Sequence, residues 1–215
     1  MKVLELFAGT ECMSNAFRAA GHDCFTVDWD ERFPSSLHRD IRELTAKEIV
    51  ERFGYPDVIW VGTDCTTFSV AAISTHRRKN PETGNLDPVT DYARQCDETN
   101  VHVWQLIREL NPKVYVWENP RGGLRSMVYM HQPDCIRQTT TYCQYGFPYM
   151  KPTDFFSNVD LELKPPCKNG DPCHERAPRG ARHGLQGVKG AVARSTYPAE
   201  LCNHIVKRCE EIIAN

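Results

Sequence analysis

The sequence predicts an α/β fold: a mostly parallel sheet with an antiparallel edge and helices on both faces. Three observations carry that reading. Apolar strand-like runs alternate with helical patterns through the first two thirds of the chain. Two late runs, 136–142 and 154–159, read as strands of an antiparallel edge. A length of 215 residues suffices for one sizeable core and falls short of two comfortable domains.

Taken in order, Val3 to Phe7 reads as a strand, followed by a tight turn at Ala8-Gly9-Thr10. Met13 to Ala20 is helical, with Gly21 as its stop. Cys24 to Val27 is a second strand. Thr45 to Phe53 is a helix whose N-cap threonine and Glu48 form the capping-box pattern. Val58 to Val61 is a third strand, 93–110 a long helix closed by Pro112, and Val114 to Trp117 a fourth strand. From Lys164 to Gly190 periodicity gives way to Pro, Gly, Cys, His and Arg. Pro198 to Ile213 is a terminal helix with Leu201, Ile205 and Cys209 on one face. The expected organisation is a core over 1–160, an irregular Cys/Gly/Arg-rich insertion over 161–192, and a segment over 193–215 that packs back on the core.

Composition excludes several classes. No apolar run approaches the ~20 residues of a membrane span, and the start of the chain turns polar too early for a secretory leader. The expectation is a cytoplasmic monomer in a bacterial or phage-infected cell, its ten cysteines reduced. A net charge of −2 gives no global case for nucleic acid. Locally, seven Lys/Arg against three acids over 161–194 leave +4, and His76-Arg77-Arg78-Lys79 adds a second basic cluster. Two patches on a neutral body suit a polyanion that meets one face.

Two run ends carry the chemistry. Cys65 follows the third strand, in Gly62-Thr63-Asp64-Cys65-Thr66-Thr67-Phe68-Ser69. Glu118 follows the fourth, in Glu118-Asn119-Pro120. In a doubly wound sheet both ends open on one crevice. A thiol nucleophile and a carboxyl proton donor side by side can add to, and then release, an electron-poor ring. The turn Phe7-Ala8-Gly9-Thr10-Glu11 followed by Asp28-Trp29 about twenty residues on suits a nucleoside-containing cofactor. The acid would hold ribose hydroxyls and Trp29 would lie on a base, with Asp40-Ile41 adding another carboxylate nearby.

This ordered set resembles the cytosine-C5 DNA methyltransferases. The matching segments are Phe7-Ala8-Gly9, Asp28-Trp29-Asp30, Asp64-Cys65-Thr66-Thr67-Phe68-Ser69, Glu118-Asn119-Pro120, Tyr145-Gly146-Phe147-Pro148 and Ala193-Arg194-Ser195. Glu118-Asn119-Pro120 and Lys151-Pro152-Thr153-Asp154 are similar to the short phage-encoded branch. The resemblance implies a Rossmann-like S-adenosylmethionine-dependent methyltransferase sheet and transfer of a methyl group to cytosine C5 in DNA. It implies that Cys65 attacks C6, that Glu118 holds and protonates N3, and that Asn119 fixes the loop around Glu118. The position that contacts the flipped base falls at Thr153, with Lys151 as its substitute. The implied cofactor set is Phe7, Ala8, Gly9, Thr10, Glu11, Asp28, Trp29, Asp40, Ile41, Thr63, Asp64, Ser195 and Thr196.

Departures sharpen the expectations. Asp64 stands where the family has proline, placing a carboxylate beside the nucleophile, where an ionised neighbour raises a thiol pKa. A separate target-recognition domain is missing, so recognition should be short and rest on phosphate contacts. The expected DNA contacts are Ser69, a mobile loop at His76, Arg77, Arg78 and Lys79, and the insertion residues Lys168, Arg176, Arg179 and Arg182. A related enzyme that adds another group, one acting on RNA or single strands, and a silent nucleic-acid-binding homologue are the rival readings. Cys167, Cys173 and His174, with Cys143 or His183, are zinc-type donors without paired Cys-x-x-Cys spacing, so the expectation is unligated thiols and no metal.

Overall fold

The computed structural model describes residues 1–176 and 190–214. Its elements are β1 (Lys2–Leu6), α1 (Cys12–Ala19), β2 (Asp23–Asp28), β3 (Leu37–His38), α2 (Ala46–Arg52), β4 (Val58–Val61), α3 (Ile73–His76), β5 (Arg77–Lys79), β6 (Leu86–Pro88), α4 (Asp91–Leu110), β7 (Val114–Pro120), β8 (Ile136–Thr141), β9 (Pro152–Ser157), α5 (Ala191–Ser195) and α6 (Ala199–Ala214). Seven strands form one sheet in the order β3-β2-β1-β4-β7-β9-β8. The first five run parallel, and β9 pairs antiparallel with both β7 and β8. This is the expected mostly parallel sheet with an antiparallel edge.

The strands read from the sequence because the central ones are apolar throughout. All four residues of β4 are buried, as in a strand covered on both faces. On one face Met13 and Phe17 of α1 pack with Leu201, Ile205 and Cys209 of α6, all fully buried. On the other, Ile49 of α2 and Trp104, Ile107 and Leu110 of α4 cover Ile59, Val61, Tyr115 and Trp117. Those two layers are the helices on both faces that the alternation implied.

Helix ends show how local rules bend to the fold. Thr45 caps α2 by accepting from the Glu48 N–H at 3.1 Å. The return half of the capping box is not made, because the Glu48 carboxylate binds Arg39 and Arg52 instead. At α1 the cap residue Glu11 is left-handed (φ 54°) and caps nothing with its side chain. Glu5 of β1 replaces it, accepting from the Ser14 N–H at 2.9 Å. The short elements escaped the sequence reading: β3, the helices α3 and α5, and an antiparallel ribbon in which β5 pairs β6. Strands of two or three residues are too short to show a period.

Candidate active site

Parallel pairing of β4 with β7 aligns Val61 with Trp117, so both carboxyl ends open at the same edge. Beyond Val61 the chain is tied to β7 by two hydrogen bonds. The Trp117 indole donates to Thr63 Oγ1 at 3.0 Å, and the Asn119 amide donates to the Thr63 carbonyl at 3.2 Å. The Cys65 carbonyl then accepts from Phe68 N and Ser69 N at 3.1 and 2.8 Å, closing a 3₁₀ turn over Thr66–Phe68. Asp64 braces the entry to that turn: Oδ1 accepts from Thr66 N at 2.6 Å, and the Tyr92 hydroxyl donates to Oδ2.

Glu118 is buried. The Tyr142 hydroxyl donates to its Oε1 at 2.9 Å and the Tyr197 hydroxyl to its Oε2 at 3.3 Å. Burial pushes its carboxyl pKa up, against the opposing pull of Lys151 and the two phenols. Cys65 is tuned in the same small space. Burial first, then the charges of Glu118 and Asp64, push its thiol up to about 11, while Lys151 pulls it down. Thiol, carboxyl and ammonium therefore act on one another within one site.

Lys151 is buried, donates to the Arg194 carbonyl at 2.9 Å and lies 4.5 Å from the centre of the Tyr142 ring. Thr153 is fully buried opposite Pro120 of β7, and its hydroxyl donates to the Lys151 carbonyl at 3.2 Å. Thr153, expected as a base contact, is thus enclosed in the sheet, and Lys151 is the basic group that acts on Glu118. Tyr142 and Tyr197 were missed by the sequence reading. The one hint was glycine at 62, where an added Cβ would lie 2.7 Å from the Tyr197 hydroxyl.

The expected cofactor residues divide into two groups. At the end of β1 the turn has positive φ at Phe7, Gly9 and Glu11, and the space a Cβ would take at Gly9 is open to 4 Å. Asp28 holds this turn by accepting from Gly9 N at 2.8 Å, and accepts from Asp30 N at 2.9 Å. Trp29 is 68% exposed at the end of β2, so it is no core aromatic. Ala8 is buried, Thr10 half-exposed, and Ser195 and Thr196 both donate to the Val192 carbonyl. The second group is committed to the fold. Glu11 is bound by Arg18 at 2.9 Å and by the Thr26 hydroxyl at 2.6 Å, and Asp40 caps the next turn while binding Arg42. Ile41 is core, and Thr63 is spent on β7. Each of these four side chains already has a partner or packs in the core.

The basic cluster needs correction at one residue. Arg77 is 2% exposed: its guanidinium pairs with Asp97 of α4 at 2.8 Å, donates to Thr67, and lies 4.0 Å from the Phe68 ring centre. Arg77 alone of β5 turns inward, so it is no DNA contact; it buttresses the turn after Cys65 through its bonds to Thr67. Nor is the segment a loop: His76 ends α3, and Arg77 to Lys79 form one strand of the β5–β6 ribbon. Arg78 and Lys79 are exposed there, while His76 is half-buried against Thr90 at 3.0 Å. Ser69 is half-buried, and Lys168 and Arg176 are exposed. Arg179, Arg182 and His183 lie outside the described residues. The four donors Cys143, Cys167, Cys173 and His174, for which the spacing gave no ligand set, are gathered into one cluster.

No protein-family model and no curated protein matches the sequence. Among solved structures, the chain is similar to a prophage-encoded E. coli protein assigned as a DNA modification methyltransferase, at a TM-score of 0.52 and 20% identity over 78% of this chain and 51% of that one. It is also similar to the S. pombe Dnmt2 methyltransferase, at a TM-score of 0.53 and 18% identity over 76% and 53%. This chain thus spans about half the length of either. At such identities a likeness speaks for architecture, and the chain has the methyltransferase fold.

Proposed function

We propose that this protein transfers a methyl group from S-adenosylmethionine to C5 of cytosine in DNA through a covalent Cys65–C6 adduct. One observation carries the reading: Cys65 and the buried Glu118, whose carboxyl pKa burial raises, stand at the aligned ends of adjacent parallel strands, and the charge of Glu118 acts on the Cys65 thiol. The open turn at Gly9, held by Asp28 and flanked by the exposed ring of Trp29, fits a nucleoside-containing group. When bound, S-adenosylmethionine supplies an electrophilic methyl on a sulfonium.

Within the site, Cys65 adds to C6 as thiolate while Glu118 passes its proton to N3, so no negative charge builds on the ring. C5 of the resulting enamine is nucleophilic and takes the methyl. Transfer of the C5 proton to solvent water then expels Cys65 as thiolate, and N3 returns its proton to Glu118. Lys151 offsets the carboxylate after it has given up that proton, and Tyr142 and Tyr197 hold it in place. Asn119 positions the cysteine loop through Thr63, and its own Oδ1 lacks a partner among the described residues, leaving an acceptor open in the site. Because C5 is inaccessible in a stacked duplex, the base is flipped out or the substrate is single-stranded. Arg78, Lys79, Lys168 and Arg176, with Arg179 and Arg182, would meet phosphates and give short, salt-dependent recognition.

Asp64 favours a second reading, a related pyrimidine-C5 enzyme that acts on RNA or single strands, since a carboxylate beside the nucleophile departs from the resembled pattern. Duplex DNA, single-stranded DNA and RNA carrying 5-fluorocytosine separate the cases. With S-adenosylmethionine, duplex DNA should give a denaturation-resistant adduct with the wild type and none with Cys65→Ser. An adduct only on RNA or single strands would select the second reading. No adduct on any substrate, with no methyl incorporated, would sink both.

A further inference from the structure

Behind the turn that carries Tyr142, four soft donors converge. Cys143 of the 3₁₀ turn Tyr142–Tyr145 meets Cys167, Cys173 and His174 of the segment that follows β9. Cys143 Sγ lies 3.2 Å from Cys167 Sγ and 3.7 Å from Cys173 Sγ. His174 Nδ1 lies 3.6 Å from the Cys167 sulfur and 3.4 Å from that of Cys173. All four donor atoms fall within 4.8 Å of one another. From these contacts we propose that Cys143, Cys167, Cys173 and His174 form a structural zinc site.

The spacings decide the matter. A sulfur–sulfur bond is about 2.05 Å long, so none of these pairs is a disulfide. Zinc held tetrahedrally at about 2.3 Å from sulfur and about 2.0 Å from nitrogen sets its ligands about 3.5–3.8 Å apart. Four of the donor–donor distances, 3.2–3.7 Å, straddle the short end of that range, and the remaining ones lie within 4.8 Å. Three thiolates and one imidazole in such a cage select zinc over the hard, oxygen-seeking cations. Four protein donors also close the coordination sphere, which makes the site structural and leaves no position for a substrate.

Polar groups already point at the sulfurs. The Thr141 hydroxyl donates to Cys167 Sγ at 3.3 Å, and the Gln144 amide donates to Cys173 Sγ at 3.5 Å. Such donors to metal-bound thiolates orient the ligands and disperse their charge. Binding through Nδ1 leaves the His174 proton on Nε2. The long contact from Gly170 N to Nε2, 3.4 Å, is then given up, at the cost of one weak hydrogen bond.

The site also has a structural task. From Leu161 to Arg176 no residue lies in a helix or a named strand, so little backbone pairing holds the segment. A metal would clip it to the turn carrying Tyr142, the residue bonded to Glu118. It would also secure Glu175, whose N–H donates to the Pro148 carbonyl at 2.7 Å just before Lys151. A metal of this kind supplies the stability that a larger core provides elsewhere.

The test reads metal, not methyl transfer, and so stands apart from the proposed function. Protein purified without chelator should carry about one zinc per chain by elemental analysis, as a closed four-ligand site holds. Cys167→Ser should lower that to below about a tenth, whereas Cys135→Ser should leave it unchanged. Should Cys167→Ser fail to fold, Co²⁺ added to metal-stripped wild type decides. A thiolate-to-cobalt charge-transfer band with tetrahedral ligand-field bands supports the site. Zinc-free protein that also fails to give this spectrum, or a Cys143–Cys167 disulfide in the peptide map, overturns it.

Discussion

The Tyr142 hydroxyl donates a 2.9 Å hydrogen bond to Glu118 Oε1 across the antiparallel edge of the sheet. Tyr142 follows β8, two strands from β7, which carries Glu118. The bond favours the charged form of a carboxyl whose pKa burial pushes up. Tyr142→Phe should therefore push the Glu118 pKa higher still. In a pH–rate profile, the alkaline limb assigned to Glu118 should move upward, and kcat should fall about tenfold, near 1.4 kcal/mol, with little change in KM for the cofactor. A limb that stays in place or moves down would remove Tyr142 from this role.

Thiol reactivity at Cys65 should track the surrounding charges. With its pKa at about 11, the thiolate is scarce at neutral pH, so iodoacetamide labelling should rise about tenfold per pH unit from 7 to 10. Asp64→Asn keeps an acceptor for Thr66 N and removes one charge that raises this pKa. Labelling at pH 8 should then speed up by roughly two- to fivefold. An unchanged rate, followed by peptide mass spectrometry, would show that Asp64 does not govern the nucleophile.

Arg77 and Arg78 are neighbours with opposite fates. Arg77→Ala leaves Asp97 without its buried partner and should cost about 3–5 kcal/mol in urea unfolding. Arg78→Ala should change stability by less than about 0.5 kcal/mol. In nucleic-acid binding it should lower affinity and reduce the salt slope by about one. Equal effects of the two substitutions on stability would contradict the inward turn of Arg77.

Glu5 links stability to pH. Burial, against the Ser14 N–H bond, raises its pKa from 4.5 to about 7, so the fold favours the protonated acid. Folded protein binds the extra proton between those values, and the stabilisation present at low pH is lost as pH rises through 7. Glu5→Gln keeps an acceptor for Ser14 and cannot ionise. It should be more stable than wild type at pH 8 by about 1–3 kcal/mol, with the gap closing towards pH 5. A constant gap across that range, in thermal melts, would rule out Glu5 as the group responsible.

Strands β1, β4 and β7 were legible in the sequence because hydrophobic runs bounded by turn residues encode buried strands locally. The same runs delivered Cys65 and Glu118, since Glu118 lies near the end of β7 and Cys65 in the turn after β4. Asp28 and Trp29 lie beside the turn at Gly9, as their position after the second strand implied, but the bond from Gly9 N to Asp28 was not foreseen. Arg77 was not legible. In the string His76-Arg77-Arg78-Lys79 each base looks alike, and only pairing of β5 with β6 decides which one turns towards Asp97, 20 positions on.

By itself the sequence determined the alternation of strands and helices, the placing of a thiol and a carboxyl at two strand ends, and the turn beside Asp28. Tertiary structure alone decided which groups surround that pair. Tyr197 reaches Glu118 across 79 residues, Tyr142 across 24, and Cys143 meets Cys167 across another 24. The division has a physical origin. Hydrophobic periodicity is written within one element, whereas a hydrogen-bond partner or a ligand set depends on how the elements fold against one another.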